Sequence, residues 1–256
     1  MELVLVFAAT VYGLLVGSFL NVAVHRVPAG QSVVRPRSAC PACTTPITAR
    51  DNLPVISWVL LRGRCRTCAE PISVRYPAVE VLTGAAFAVM ALRFGASWEL
   101  PAFCVLMAGL VAVSAIDLDV RRIPTAILRV TAAAGLPFLV VAAVVASDPW
   151  PLVRVVIGAA GAYGVLLVVH LVSPQGMGFG DVRLAGLLGA FLGWLGPGHV
   201  PVGLMAGFFY GSVGGVAVLL ARRGDRRTAI PFGPFLALGA VTAILAGEPL
   251  LDLYLG

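Results

Sequence analysis

Lysine is absent from the 256 residues, so all 18 basic side chains are arginine. Charge of either sign is scarce: 12% of residues are charged, where ordinary soluble domains carry about a quarter. Together with 59% hydrophobic residues and a mean hydropathy of +0.97, this excludes a conventional soluble domain. Neither G-x-S-x-G nor H-E-x-x-H occurs. The three histidines, His25, His170 and His199, are scattered, which leaves serine and zincin-type peptidase chemistry without a centre. His170 reads as a helix-packing residue. The arginines sit in a few loops and not in one tail, so the net charge of +6 is a topology signal and nucleic-acid binding is not expected.

What the chain has in quantity is apolar length. Windows long enough to cross a bilayer, about 17–25 residues, lie near 3–24, 76–94, 99–116, 124–146, 151–173, 181–196, 199–221 and 230–247. The expected fold is an all-α polytopic membrane protein with about eight transmembrane helices. The window 181–196 is the shortest and is glycine-rich. No cleavable signal peptide is expected, because Glu2 precedes the first run and arginines follow it. The only sizeable polar stretch, 25–75, holds eight arginines against Asp51 and Glu70, and the positive-inside rule places it in the cytoplasm. Alternation adds 117–123, 174–180 and 222–229 to that side, with Arg121, Arg122, Arg222, Arg223, Arg226 and Arg227. Arg129 and Arg154, near span ends, read as interfacial anchors. The division expected is a first helix at 1–24, a cytoplasmic four-cysteine domain at 25–75 and a transmembrane core at 76–256.

Two acidic sites stand at span ends. Asp117 closes the third run, in Ser114-Ala115-Ile116-Asp117-Leu118-Asp119, and Asp181 opens the sixth, after Gly176-Met177-Gly178-Phe179-Gly180. A carboxylate beside a long apolar run is costly, roughly 2.5–3.5 kcal/mol at a helix centre, so it normally faces protein or water and serves a function. The third span runs inward and the sixth starts on the inside, so the two carboxylates share one depth and can meet. Neighbouring carboxylates share a proton, one acting as acid while the other acts as base toward water. Asp181 also suits a helix cap or first-turn acid, and Asp117 an interfacial acid paired with Arg121 or Arg122. Asp119, two residues on, should point away from Asp117 and take the second of these roles.

Cys40-Pro41-Ala42-Cys43 and Cys65-Arg66-Thr67-Cys68 form two C-x-x-C knuckles separated by 21 residues. That spacing reads as a tetrahedral zinc site of ribbon type, structural because four thiolates close the coordination sphere. Disulfides are the alternative, disfavoured in a reducing loop. Cys104, alone in the third span, reads as packing.

Several motifs then resemble one family. Gly17-Ser18-Phe19-Leu20-Asn21-Val22 with His25-Arg26-Val27-Pro28, the two knuckles, Asp51-Asn52-Leu53-Pro54-Val55-Ile56-Ser57-Trp58, Arg75-Tyr76-Pro77-Ala78-Val79-Glu80, Ile116-Asp117, Gly178-Phe179-Gly180-Asp181 and Ile230-Pro231-Phe232-Gly233-Pro234-Phe235 occur in order. Together they are similar to bacterial type IV prepilin peptidases, also called type 4 leader peptidases. The resemblance implies a multi-pass aspartic endopeptidase of the bacterial inner membrane, with its active site facing the cytoplasm. Such an enzyme removes the basic leader of type IV prepilins or type II secretion pseudopilins after a glycine. Asp117 and Asp181 match the catalytic pair. The resemblance also implies N-methylation of the new N-terminus from S-adenosylmethionine, associated with the cysteine-bearing region. Arg183 stands where lysine is usual, Ala69 where glycine often follows the last cysteine, and Ala49-Arg50 where aromatic residues are common.

Two rivals come from other classes. An ion-coupled transporter also carries carboxylates in a bundle with broken helices, but it expects inverted repeats and midplane acids. A membrane-anchored zinc-ribbon scaffold leaves both aspartates without a role.

Overall fold

The computed structural model describes residues 1–174, 176–220 and 231–255. The loop expected at 222–229, with its four arginines, and Ile230 lie outside the described residues. Nine α-helices follow one another among those that are described: α1 (Glu2–Arg26), α2 (Ile56–Leu60), α3 (Arg75–Phe94), α4 (Glu99–Val120), α5 (Thr125–Ala146), α6 (Trp150–Val172), α7 (Phe179–Leu195), α8 (His199–Leu220) and α9 (Gly233–Leu255). Two isolated bridges are the only β pairing described. The all-helical expectation therefore holds.

Seven of these helices, α1, α3, α4, α5, α6, α8 and α9, are long and apolar enough to cross a membrane. The remaining expected span, the sixth in order, is α7, 17 residues long. At 1.5 Å per residue it reaches roughly 26 Å, a little short of a hydrocarbon core of about 30 Å. Its brevity suits its place, since 11 of its residues are buried by neighbouring helices and little of it needs to meet lipid.

Glycine makes the tightest helix pairs. A Cβ on Gly158 of α6 would lie 2.3 Å from the carbonyl oxygen of Gly189 on α7, and one on Gly189 would lie 2.2 Å from that of Gly158. The same backbone contact joins α8 to α9, where a Cβ on Gly239 would fall 2.2 Å from the Gly203 oxygen, and α1 to α3, where one on Gly17 would fall 2.7 Å from Glu80 Cα. Lipid supplies no hydrophobic drive between helices, so close backbone packing through small residues is the available source of cohesion. Around these pairs α4 is the hub: it packs on α1, α3, α5 and α9. Its Phe103, Leu106, Val113 and Ile116 are fully enclosed with Phe191 of α7 and Leu236 of α9. Leu and Val side chains on the outer faces of α1, α5 and α6 stay exposed, as a lipid-facing surface requires.

Candidate active site and metal centre

Asp117 sits in the last turn of α4. The helix ends at Val120 because Arg121 takes a left-handed conformation (φ 52°, ψ 44°), its N–H donating to the Asp117 carbonyl at 2.9 Å. The reversal sends Ile123 back across the bundle end. There it packs beside Gly180 and Gly233: a Cβ on Gly180 would meet Ile123 Cβ at 2.9 Å, and one on Gly233 would meet Ile123 Cδ1 at 3.4 Å. Ile123 thus ties together the start of α7, which carries Asp181, and the start of α9. The Gly233 N–H, one of the donors left free at a helix N-terminus, donates to Asp117 Oδ2 at 2.9 Å.

Asp181 occupies the first turn of α7. Its Oδ2 accepts from the Gly178 N–H at 3.1 Å, so the helix-capping role is real. Its Oδ1 is buried and has no hydrogen-bond partner among the described residues. One oxygen anchors the carboxylate and the other is available. Both aspartates are buried, at 5% and 8% exposure, and Asp117 lies near enough for its charge to act on Asp181. Two buried acids in electrostatic reach, with no ion-pair partner among the described residues, are not a stabilising arrangement, and such sites cluster where chemistry occurs.

The glycine-rich approach to Asp181 is clamped by residues whose parts the sequence did not disclose. His170 Nδ1 lies 2.8 Å from the Met177 carbonyl oxygen, and its ring leans on Phe179 at 5.6 Å, so it packs against a loop and not only within helices. Arg183 lies over the Phe179 ring at 4.6 Å and donates to Thr125 Oγ1 at 2.7 Å, joining α7 to α5. Nothing in the spacing of His170, Ile123 or Thr125 marks them, because each acts through a contact across the fold.

Asp119 does point away from Asp117, but its partner differs from the expectation. Arg75, at the start of α3, pairs with Asp119 Oδ2 and donates to the Ala115 carbonyl oxygen at 3.0 Å. The ion pair forms between α3 and α4 instead of within the α4 end.

The four cysteines converge. Their sulfurs all lie within 4.8 Å of one another, with Cys40 to Cys68 at 3.8 Å and Cys43 to Cys65 at 4.0 Å. A disulfide needs about 2.05 Å, so these are thiols. Four sulfurs about 2.3 Å from one ion at tetrahedral corners stand roughly 3.8 Å apart, and the cluster fits that edge. The knuckles repeat each other. Cys40 N–H donates to Thr45 O and Cys65 N–H to Glu70 O, and Thr44 and Ala69 both follow a second cysteine with positive φ, 55° and 58°. Hydrogen bonds at Thr45, Cys43 Sγ to its Oγ1 at 3.3 Å among them, pull the Cys43 thiol down to about 6, while desolvation and the neighbouring sulfurs push the Cys68 thiol up to about 12, so the crowded thiols hold their protons unequally. Arg66, between the cysteines of the second knuckle, grips Asp51 Oδ1 with Nε at 2.9 Å and a terminal nitrogen at 2.6 Å, which holds the Asp51 carboxyl below its usual range.

Two family models and several relatives match the chain. The Bacterial Peptidase A24 N-terminal domain matches residues 11–94, and the Type IV leader peptidase family matches residues 104–220. A protein of Aeromonas salmonicida (strain A449) named prepilin leader peptidase/N-methyltransferase is 35% identical, covering 95% of this chain and 91% of that protein. One of the same name from Bacillus subtilis (strain 168) is 34% identical, covering 96% of each. Another from Myxococcus xanthus (strain DK1622) is 40% identical over 84% of this chain and 64% of its own length. No solved structure matches.

Proposed function

The chain belongs to the type IV leader peptidase family, and on that footing we propose that it is a membrane aspartic endopeptidase with Asp117 and Asp181 as its catalytic pair. Its substrates are the leaders of type IV prepilins or type II secretion pseudopilins, cut at the cytoplasmic face of the inner membrane. The observation that carries the reading is the pairing of two buried carboxylates from α4 and α7, each fixed through one oxygen by a backbone N–H.

In this reading the pair holds one proton. The ionised member takes a proton from a water placed between the carboxylates while the protonated member donates to the carbonyl oxygen of the leader bond, and the roles reverse as the amine departs. The backbone anchors keep both carboxyls oriented through the cycle, and the surrounding apolar packing strengthens each electrostatic contact. The apolar segment of the substrate reaches the site from the bilayer.

The four-cysteine region, 25–75, holds zinc through Cys40, Cys43, Cys65 and Cys68 as a structural centre. The relatives are named as methyltransferases also, and we extend that activity to this chain. S-adenosylmethionine would supply the methyl group. A hollow of about 160 Å³, lined by Asn21, His25, Arg75, Tyr76 and Asp119 together with Val24, Pro28 and Val120, opens between the end of α1, the start of α3 and the end of α4. That volume is below the roughly 300–1,000 Å³ of sites that enclose ligands of that size.

The test is to incubate the purified protein with a prepilin and S-adenosylmethionine and to read both product termini by mass spectrometry. Leader removal and an added methyl group are expected. An intact leader overturns the peptidase reading, and cleavage with an unmodified N-terminus overturns the methyl-transfer reading alone.

A further inference from the structure

The short helix α2 is amphipathic in the reverse sense. Its inward face carries Ser57, which is buried: the Ser57 hydroxyl donates to the Arg50 carbonyl at 2.7 Å and accepts from the Leu53 N–H at 3.0 Å. Its outward face carries Ile56, Val59 and Leu60 at 57%, 59% and 75% exposure, with Leu53 beside them at 48%. Positions 56, 59 and 60 share one side of a helix. A region with so little core of its own gains nothing by presenting four aliphatic side chains to water, and such a contiguous patch marks a partner surface.

The partner follows from where the patch is held. Val55, just before α2, adopts φ 62° and ψ −49°, an outlier for a β-branched residue. Its N–H donates to Glu80 Oε2 at 2.8 Å. Glu80 is buried five residues into α3, about 7.5 Å along that helix from Arg75. This bond holds the 53–57 turn beside the first two turns of α3, a helix long and apolar enough to cross a membrane, and the end of such a span is where polar headgroups meet acyl chains. Arg50, Arg62 and Arg64, which flank α2 in the chain, are all exposed, and arginines complement anionic headgroups. Apolar side chains outward, flanking arginines and a position at the interface are the attributes of a segment that lies in the membrane surface.

We propose that Leu53 and α2 form an interfacial foot, with Ile56, Val59 and Leu60 inserted among anionic phospholipids, that fixes the four-cysteine region against the bilayer. The foot does not depend on which reaction the protein carries out. A second protein copy or a substrate helix is the competing occupant, and photocrosslinking separates them. The full-length protein carrying benzoylphenylalanine at position 60 is reconstituted in vesicles of phosphatidylethanolamine and phosphatidylglycerol, irradiated and analysed by mass spectrometry. Position 56 serves as a second site, and position 42, exposed on the first knuckle, as the control. Lipid adducts at 60 and 56, lost at 42, are expected. Adducts at 60 and 56 to a second copy or to an added prepilin, equal lipid labelling at 42, or no adduct at either position would overturn the foot.

Discussion

The Gly233 N–H donates to Asp117 Oδ2 at 2.9 Å, joining residues 116 positions apart. The donor is the first residue of α9 and the acceptor lies in the last turn of α4, so the orientation of one proposed catalytic carboxylate is set by the opposite end of the chain. A Cβ at position 233 would lie 2.9 Å from that same oxygen, so the space is available only to glycine.

Gly233→Ala should therefore push the Asp117 carboxyl off its anchor while leaving membrane insertion intact. A misplacement of that order costs on the order of 100-fold in turnover. Cleavage of a prepilin by membranes at matched expression is the measurement, and wild-type rates would show that Asp117 needs no such positioning.

Asp117→Asn and Asp181→Asn should each abolish cleavage, since an amide keeps the shape but cannot cycle a proton. Because the two act as a unit, the double variant should be no slower than either single one. Asp119→Asn should be much milder, its carboxylate being engaged with Arg75. Substantial turnover by Asp181→Asn would leave Asp181 as the capping acid of α7 and nothing more.

Cys40→Ser or Cys65→Ser should lose the metal and open residues 38–75 to protease, because a metal held by four thiolates supplies much of the folding energy of so small a region. Zinc content by elemental analysis, with limited proteolysis beside it, is the check. A protease-resistant loop without zinc would remove the metal from the account.

Ala69→Gly should tighten the same site. Ala69 sits at φ 58°, a conformation that costs a residue with a Cβ about 1–2 kcal/mol, partly offset by the greater freedom of glycine in the unfolded chain. A net gain of up to about 1 kcal/mol is expected, read as slower loss of zinc to a chelator.

Much of this architecture was legible because the bilayer imposes length. The eight apolar windows became eight helices, with ends shifted by a few residues, and the largest difference is at the C-terminus, where α9 runs through Pro249 to Leu255. The cysteine cluster was legible because C-x-x-C spacing is local. The shared depth of Asp117 and Asp181 followed from alternation of direction, which needs no contact to be known. What stayed hidden were the supporting contacts across the fold. Arg75 competes for Asp119 from another helix, His170 holds a loop carbonyl, and Ile123 joins Gly180 to Gly233. Side chains of ordinary type in ordinary places carry no local signal of such contacts.

Helices enter a membrane in the order in which the ribosome delivers them. When α4 is inserted, the residue that will orient its carboxylate has not been synthesised, and α7 arrives before α9 as well. A nascent chain therefore holds both aspartates for some time without the Gly233 donor that completes their geometry. On the proposed assignment, full turnover is expected only once α9 has docked against α4 and brought that donor to Asp117.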